Sequence, residues 1–224
     1  KHVSRRSSVY ARNVVAASQP LAAQAGVQIL RNGGNAVDAA IATAITLTVV
    51  EPTMNGIGSD AFVIVSDNHG IHGFNGSGRS PAAWTPERFA GHDNMPEHGW
   101  DTVTVPGAVD TWVQLSDRFG QLPFEKLFDS AINYAAQGFA VSPVIAAGWA
   151  RAAEEFGYLE GFRTIFMPNG RAPTAGEAFQ SEAMANTLGE IADSRGESFY
   201  RGRLASRIVA DAARFDGALT DQDL

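Results

Sequence analysis

Residues that could supply a catalytic nucleophile are scarce in this sequence. It contains no Gly-x-Ser-x-Gly, Ser-x-x-Lys or His-Glu-x-x-His pattern, and these patterns are typical of hydrolases with a serine nucleophile or a catalytic zinc ion. Ser77 lies in the glycine-rich stretch Asn75-Gly-Ser-Gly-Arg79. That stretch lacks the strand–elbow–helix context of a serine nucleophile and has no obvious histidine partner. We interpret it as a turn, and a serine nucleophile is the less favoured alternative.

Arg79 is the residue best suited to hold a substrate. It follows a glycine-rich turn after a predicted strand, where a loop can hold its side chain over a pocket. A guanidinium group binds a carboxylate through two parallel hydrogen bonds, which makes arginine the preferred residue for this task. The alternative is a surface arginine that pairs with a nearby aspartate or remains in water, and the sequence alone favours this simpler interpretation.

No residues are spaced for a metal ion or a cofactor. There is no cysteine, which excludes disulfides, thiolate catalysis and zinc–thiolate sites. His69 and His72 flank a predicted turn and are interpreted as structural or solvent-exposed residues. The carboxylates include no close pair of the glycosidase type. The stretch Gly56-Ile-Gly-Ser-Asp60 precedes a predicted strand, whereas a dinucleotide-binding loop must follow one. We therefore predict neither a metal nor a cofactor.

Composition places the chain among globular proteins. Apolar residues make up 45% of its 224 residues and charged residues 18%, which is too apolar for a disordered chain. The net charge is −7, and the short basic cluster at Lys1, Arg5, Arg6 and Arg12 is no stripe that could neutralise phosphates, so we expect no nucleic-acid partner. The longest apolar run, residues 39–50, is too short to cross a bilayer. We expect a soluble protein without a membrane partner, and a cytoplasmic location is favoured over a periplasmic or secreted one.

Two helices are predicted near the start of the chain. Residues 18–34 predict one helix, with Ser18 as its N-cap and Gly33-Gly34 as its left-handed stop. Asn35 is then expected to cap a second helix, Ala36–Val50. This second helix has almost no charge on any face, so we expect it to be buried on all sides.

Two glycine-rich turns bound a predicted hairpin. The apolar run Ala61–Val65 predicts a buried strand and Ile71–Asn75 the returning strand. A helix is predicted after Gly107. Further helices are predicted at residues 124–137, 142–156, 180–195 and 201–215. The final stretch, residues 217–224, stops soon after a turn, so we expect a chain cut from a longer one.

Several of these motifs, in this order, resemble the opening of the γ-glutamyltransferase (γ-glutamyltranspeptidase) family. The most specific is Gly33-Gly-Asn-Ala-Val-Asp-Ala-Ala40. The likeness covers almost the whole chain from about residue 10. The other matching stretches are Val15-Ala-Ala-Ser-Gln-Pro-Leu-Ala22, Val49-Val-Glu-Pro52, Val105-Pro-Gly107, Phe119-Gly-Gln-Leu-Pro123, Phe199-Tyr-Arg-Gly202 and Gly217-Ala-Leu-Thr-Asp-Gln-Asp-Leu224.

The resemblance implies an α+β fold, the four-layered αββα sandwich of N-terminal nucleophile hydrolases, with a mainly helical C-terminal part in this chain. Members are made as one precursor that cleaves itself into a large and a small subunit. The threonine at the new N-terminus of the small subunit is the nucleophile, with its own amine as the base. Residues 1–224 are then expected to form a single domain, the larger subunit or its N-terminal part, without a catalytic residue. Thr220 belongs to the terminal turn and does not match the nucleophile.

One departure from the family pattern concerns substrate choice. In typical members an arginine grips the α-carboxylate of the glutamyl group, and counting back from Pro81 that position holds Ser77 here, with Arg79 two residues later. This arrangement resembles a less typical branch that includes oxamate amidohydrolase and other acylases. The resemblance therefore supports amide cleavage more strongly than it supports glutamyl specificity.

Two hypotheses of different classes follow. The first is an amidohydrolase or acyltransferase in which Arg79 anchors the carboxylate of a small acidic amide, either a glutathione-type γ-glutamyl donor or an oxamate-type amide. Asn75, Ser77 and Gly78, together with residues 55–60, would shape or support its pocket. The second is a catalytically silent homologue that acts as a binding or scaffold subunit. In either case we expect an exposed apolar face that awaits the small subunit.

Overall fold

The computed structural model describes residues 8–224, so Lys1, Arg5 and Arg6 of the basic cluster lie outside the described part. Helices predominate, and none of those in residues 8–224 is both long and apolar enough to cross a membrane. The helices are α1 (Pro20–Arg31), α2 (Ala36–Val50), α3 (Ala108–Phe119), α4 (Asp129–Gln137), α5 (Pro143–Phe156), α6 (Glu160–Phe166), α7 (Glu182–Ser194), α8 (Glu197–Arg201) and α9 (Arg203–Arg214). The strands are β1 (Ala61–Asp67), β2 (Gly70–Gly76), β3 (Phe139–Ala140) and β4 (Ala178–Phe179).

The N-cap of helix α1 lies one residue later than predicted. Gln19, not Ser18, is the N-cap, and its side-chain oxygen accepts hydrogen bonds from the backbone N–H groups of Leu21 and Ala22. The Ser18 hydroxyl instead donates to the carboxylate of Glu51 at the end of α2. Gln19 is almost fully buried, so its longer side chain can turn back onto the helix where solvent cannot compete. The predicted glycine stop is confirmed, because Gly33 has a φ of 93°.

Helix α2 lies at the centre of the molecule, against α1, α3 and α4. Ten of its residues are buried, but the prediction of burial on all sides is wrong for one face, because Ala36 and Ala40 are exposed and Ala44 is half-buried. Threonines on this helix cost little to bury because their hydroxyls donate to carbonyl oxygens of the preceding turn. These bonds run from Thr43 to Ala39, from Thr46 to Ala42 and from Thr48 to Ile45, each at 2.7 Å.

Asp38 joins α2 to the loop that follows α3. It is fully buried (0% exposed), and its carboxylate accepts hydrogen bonds from the backbone N–H groups of Asn35 at 2.9 Å, Gln121 at 3.1 Å and Leu122 at 3.2 Å. The Asn35 side chain caps the same helix and donates to the carbonyl of Phe119 at 2.6 Å. A buried carboxylate surrounded by N–H donors is stable because its lost hydration is replaced.

Replacing Asp38 with asparagine should lower the free energy of unfolding by about 2 kcal/mol. The amide keeps one acceptor oxygen but points N–H groups at donors that then have no partner. Calorimetry of the full-length protein would measure the fall in Tm. Asp129→Asn is the matched control, since Asp129 also lies in the first turn of a helix but is exposed, and it should change stability by less than about 0.5 kcal/mol. Equal losses in the two variants would contradict this role of Asp38.

The predicted hairpin is present, but β1 is not buried on both faces. β1 and β2 pair antiparallel, with Val63 opposite Phe74 on the face that packs on the core. On the other face Phe62, Ile64 and Ile71 are 71%, 79% and 77% exposed. The continuous apolar run concealed this difference, because both faces of the strand are apolar and only one is covered within this chain. The exposed apolar face expected of a large subunit is therefore present.

The C-terminal half is mainly helical, as predicted. Ser142 and Ser181 cap α5 and α7 through their side-chain oxygens. The predicted helix at 124–137 begins instead as a 3₁₀ helix, Phe124–Phe128, before α4. Two short helices were not predicted, α6 and α8, and neither has a side-chain cap hydrogen bond that would mark its start.

Candidate active site

The glycine-rich loop after β2 is held by short polar contacts on both sides. Asn75, near the end of β2, accepts a hydrogen bond through its side-chain oxygen from the Ser77 backbone N–H at 3.0 Å. From the loop before β1, the Asp60 carboxylate accepts from the Gly78 N–H at 3.2 Å. The two glycine-rich turns that bound the hairpin are thus tied to each other. The predicted turn is reduced to this side-chain-to-backbone contact between Asn75 and Ser77, because Asn75 and Gly76 are the last residues of β2 and residues 77–80 form an irregular loop.

The same loop packs backbone to backbone against the segment that leads into α3. The Val105 N–H donates to the Arg79 carbonyl at 3.0 Å. A Cβ atom on Gly78 would lie 1.5 Å from the Val105 carbonyl oxygen, and one on Gly107 would lie 2.0 Å from the Gly76 carbonyl oxygen. Real Cβ atoms do not approach that closely. Glycine at these positions therefore allows a backbone contact that no other residue permits.

Arg79 leaves this loop with an exposed side chain that is held at one corner. Its Nη2 atom donates to the carbonyl oxygen of Asp223 at 2.9 Å and to that of Gln222 at 3.4 Å. Within residues 8–224, these are the hydrogen bonds of the Arg79 side chain. Within the same residues, the Nε and Nη1 atoms have no hydrogen-bond partner and are available to a ligand. Arg79 is thus neither paired with an aspartate carboxylate nor simply solvated.

The Asp223 carboxylate is satisfied by other donors. It accepts hydrogen bonds from the Ala82 N–H, the Thr220 N–H and the Thr220 hydroxyl, each at 2.8 Å. Burial opposes ionisation, but the hydrogen bonds from Ala82 and Thr220, with the nearby Arg79 charge, outweigh it and hold the pKa of Asp223 below its usual range. Asp223 is therefore ionised at neutral pH.

Tyr200 of α8 contacts the segment that leads into α3. Its hydroxyl donates to the Pro106 carbonyl at 2.7 Å and accepts from the Asp110 N–H at 3.0 Å, so it closes the first turn of α3. Burial raises the pKa of Tyr200 to about 12, which keeps this hydroxyl protonated. Beside it, Arg201 pairs with Glu197 at 3.1 Å on the exposed side of the helix.

These elements enclose an open pocket of about 520 Å³. The predicted residues Asn75, Ser77, Gly78 and Arg79 all line it. Ser59 and Asp60 do not line the pocket but hold segments that do. The Ser59 carbonyl accepts hydrogen bonds from the Gly107 and Ala108 N–H groups at 3.2 and 2.9 Å, and the Asp60 carboxylate accepts from the Gly78 N–H. The other lining residues include Val105, Pro106, Gly107, Asp110, Arg195, Glu197, Tyr200, Arg201 and Asp223.

Asp223 and Tyr200 are the functional candidates that sequence reasoning missed. Tyr200 lies in the stretch Phe199-Tyr-Arg-Gly202, which carried part of the family resemblance but no assigned role. Asp223 follows Thr220 by three residues, a spacing that favours a turn in which the side chains and backbone of the two residues are hydrogen-bonded. That spacing could have marked the turn but not its contact with Arg79.

The histidines near the hairpin have structural contacts. The His72 ring lies 3.3 Å from the Asp67 carboxylate and 3.0 Å from the Arg118 guanidinium. His69 donates its backbone N–H to Asp67 at 2.7 Å. In the part of the chain that the structure describes, no three histidine, aspartate or glutamate side chains are grouped so as to hold a metal ion.

Residues 22–224 match the family described as gamma-glutamyltranspeptidase. The chain belongs to this family. It is 34% identical over 221 residues to the glutathione hydrolase-like YwrD proenzyme of Bacillus subtilis, covering 97% of this chain and 42% of that protein. It is 35% identical to the oxamate amidohydrolase proenzyme of Klebsiella pneumoniae, covering 97% of this chain and 43% of that protein. The chain thus spans less than half the length of these relatives.

The structure is similar to that of a cephalosporin acylase from Bacillus halodurans. The TM-score is 0.89 with 44% sequence identity, over 99% of this chain and 44% of the acylase chain. This likeness confirms the α+β class and the N-terminal nucleophile hydrolase fold that the family resemblance implies, with this chain as its large-subunit region. The γ-glutamyltranspeptidase family therefore includes relatives named for glutathione, oxamate and cephalosporin, so family membership alone does not fix the substrate.

Proposed function

We propose that residues 1–224 form a single domain, the large-subunit part of an amidohydrolase or acyltransferase that cleaves a small acidic amide. The observation that carries the proposal is Arg79, a charged side chain fixed at one corner beside a pocket made of glycine loops. A guanidinium held in this way keeps its positive charge and its Nε and Nη1 donors for a carboxylate. Asn75, Ser77 and Gly78 form the floor on which the bound substrate rests.

The reaction requires a nucleophile from the partner. In the proposal, a threonine at the N-terminus of a small subunit cut from the same precursor attacks the amide carbon through its hydroxyl oxygen, and its own amine takes the hydroxyl proton. The C–N bond then breaks, the amine product leaves with that proton, and an ester to threonine remains. Water or a second amine attacks this ester, releases the acyl group and restores the threonine. The proenzyme names of the relatives support such a precursor.

Two substrate classes fit a carboxylate anchor, and turnover separates them. The full-length mature enzyme should release p-nitroaniline from γ-glutamyl-p-nitroanilide if it accepts γ-glutamyl donors, or ammonia from oxamate if it belongs with the oxamate branch. Arg79 two residues beyond the typical position favours the second outcome or a mixed one. Turnover of neither compound, in a protein whose small subunit starts with no threonine by mass spectrometry, would instead support the catalytically silent homologue.

A further inference from the structure

The turn at residues 220–223 is built around a buried carboxylate. Asp223 is 4% exposed, and all its acceptor contacts within residues 8–224 are with N–H and O–H donors of Ala82 and Thr220. The Oδ2 atom accepts both hydrogen bonds from Thr220 within the turn. The Oδ1 atom accepts from the backbone N–H of Ala82, three residues after Arg79, and so connects the turn to the loop that carries Arg79. A charge this deeply buried is stable only where such donors surround it.

This arrangement gives Arg79 neutral acceptors in place of a charged partner. The guanidinium contacts the carbonyl oxygens of residues 222 and 223, while the nearby Asp223 carboxylate is occupied by other donors. Carbonyl oxygens orient a guanidinium group without cancelling its charge, whereas a salt bridge would satisfy the same N–H groups that a substrate carboxylate needs. The turn therefore holds Arg79 in place and leaves its charge for a ligand.

The turn has a second, independent support. Leu219 is buried against Val105 and Ala212 in a small apolar cluster next to Trp100, and the Arg88 guanidinium donates to the Asp216 carbonyl. Loss of the Asp223 carboxylate should therefore loosen the 220–223 turn without detaching the segment from the domain.

We propose that Asp223 is a positioning residue for Arg79: its carboxylate fixes the turn whose carbonyl oxygens orient the guanidinium towards the pocket before substrate binds. This inference rests on the proposed role of Arg79 as the carboxylate anchor. An arginine side chain that is oriented in advance loses less conformational freedom on binding, so the turn strengthens substrate binding without touching the substrate.

The test compares acid and neutral forms of two substrates in the full-length mature enzyme. The pairs are γ-glutamyl-p-nitroanilide with 4-aminobutyryl-p-nitroanilide, and oxamate with oxamide. Asp223→Ala should raise KM for the acid member by about tenfold with kcat changed less than about twofold, and should leave the neutral member nearly unaffected. Asp223→Asn, which keeps one acceptor oxygen, should fall between. Asp221→Ala is the matched control, because Asp221 is an exposed acid in the same turn.

A double-mutant cycle separates positioning from general damage. In an Arg79→Ala background, Asp223→Ala should have no further effect on the acid substrate, because the group that it positions is gone. Equal losses on acid and neutral substrates, or a full additional loss in that background, would overturn the inference. If Arg79→Ala itself spares the acid substrate, the proposed function fails; if Arg79→Ala is impaired and Asp223→Ala is not, only the positioning role fails.

A crystal structure of the Asp223→Ala enzyme decides the same question without turnover. The inference expects the Arg79 guanidinium to leave the carbonyl oxygens of residues 222 and 223 or to adopt several orientations. An unchanged Arg79 in that structure would overturn it.

Discussion

Replacing Gly78 with alanine should destabilise the enzyme by about 3 kcal/mol and should nearly abolish activity. The new methyl group would lie 1.5 Å from the Val105 carbonyl oxygen and 2.5 Å from its carbonyl carbon. Both are backbone atoms, and the Val105 N–H is already bonded to the Arg79 carbonyl. Neither segment can retreat without breaking this contact, so the loop that carries Arg79 must shift.

Gly91→Ala is the matched control for this experiment. Gly91 is exposed, lies outside the hairpin, and a Cβ atom there would meet nothing within 4 Å. Its substitution should change stability by less than about 1 kcal/mol and leave kcat/KM unchanged. Calorimetric Tm and the yield of processed enzyme measure the first effect, and turnover of the acid substrates measures the second. A Gly78→Ala enzyme as stable as the Gly91→Ala enzyme would show that the loop does not need this close backbone contact.

The elements were predictable where the signal is local. Asn35, Ser142 and Ser181 cap helices in the structure as their residue type suggests. The turn residues Asp67-Asn-His-Gly70 likewise mark the hairpin that forms. Burial was harder to predict, since Phe62 and Ile64 are exposed in the same apolar strand whose other face is covered. When every residue of a strand is apolar, the sequence does not show which face of the strand is buried.

The site was predictable only in part for a similar reason. The glycine-rich loop and Arg79 are neighbours in sequence, so a single stretch of residues revealed both. The contacts that give Arg79 its orientation join residues separated by 144 positions, and those of Tyr200 join residues separated by 94. Such pairs carry no local pattern. The glycine positions could be identified as turns, but their backbone contact with Val105 and Gly107 depends on how the hairpin packs against α3.

Replacing Arg79 with alanine should lower kcat/KM for the acid substrates by tens-fold or more. A hydrogen bond to a charged group contributes about 2–3 kcal/mol, and about 1.4 kcal/mol corresponds to a factor of ten. Arg79→Lys should recover only part of the loss, because an ammonium group keeps the charge but not the planar set of N–H donors that can contact the terminal turn and the substrate together. Arg171→Ala is the matched control, since Arg171 is an exposed arginine whose partner is Glu177, and neither residue lines the pocket.

The neutral substrates decide what the loss means. An anchor acts only on a substrate that carries a carboxylate, so Arg79→Ala should leave 4-aminobutyryl-p-nitroanilide and oxamide unaffected, and the enzyme should lose its preference for the acid forms. The contacts of Arg79 with residues 222 and 223 offer a competing explanation, in which the arginine only stabilises the packing of its loop on the terminal turn. The loss of such a structural contact would lower kcat/KM equally for every substrate. Equal losses on acid and neutral amides would therefore reassign Arg79 from substrate binding to structure, and the carboxylate specificity proposed for this pocket would fall with it.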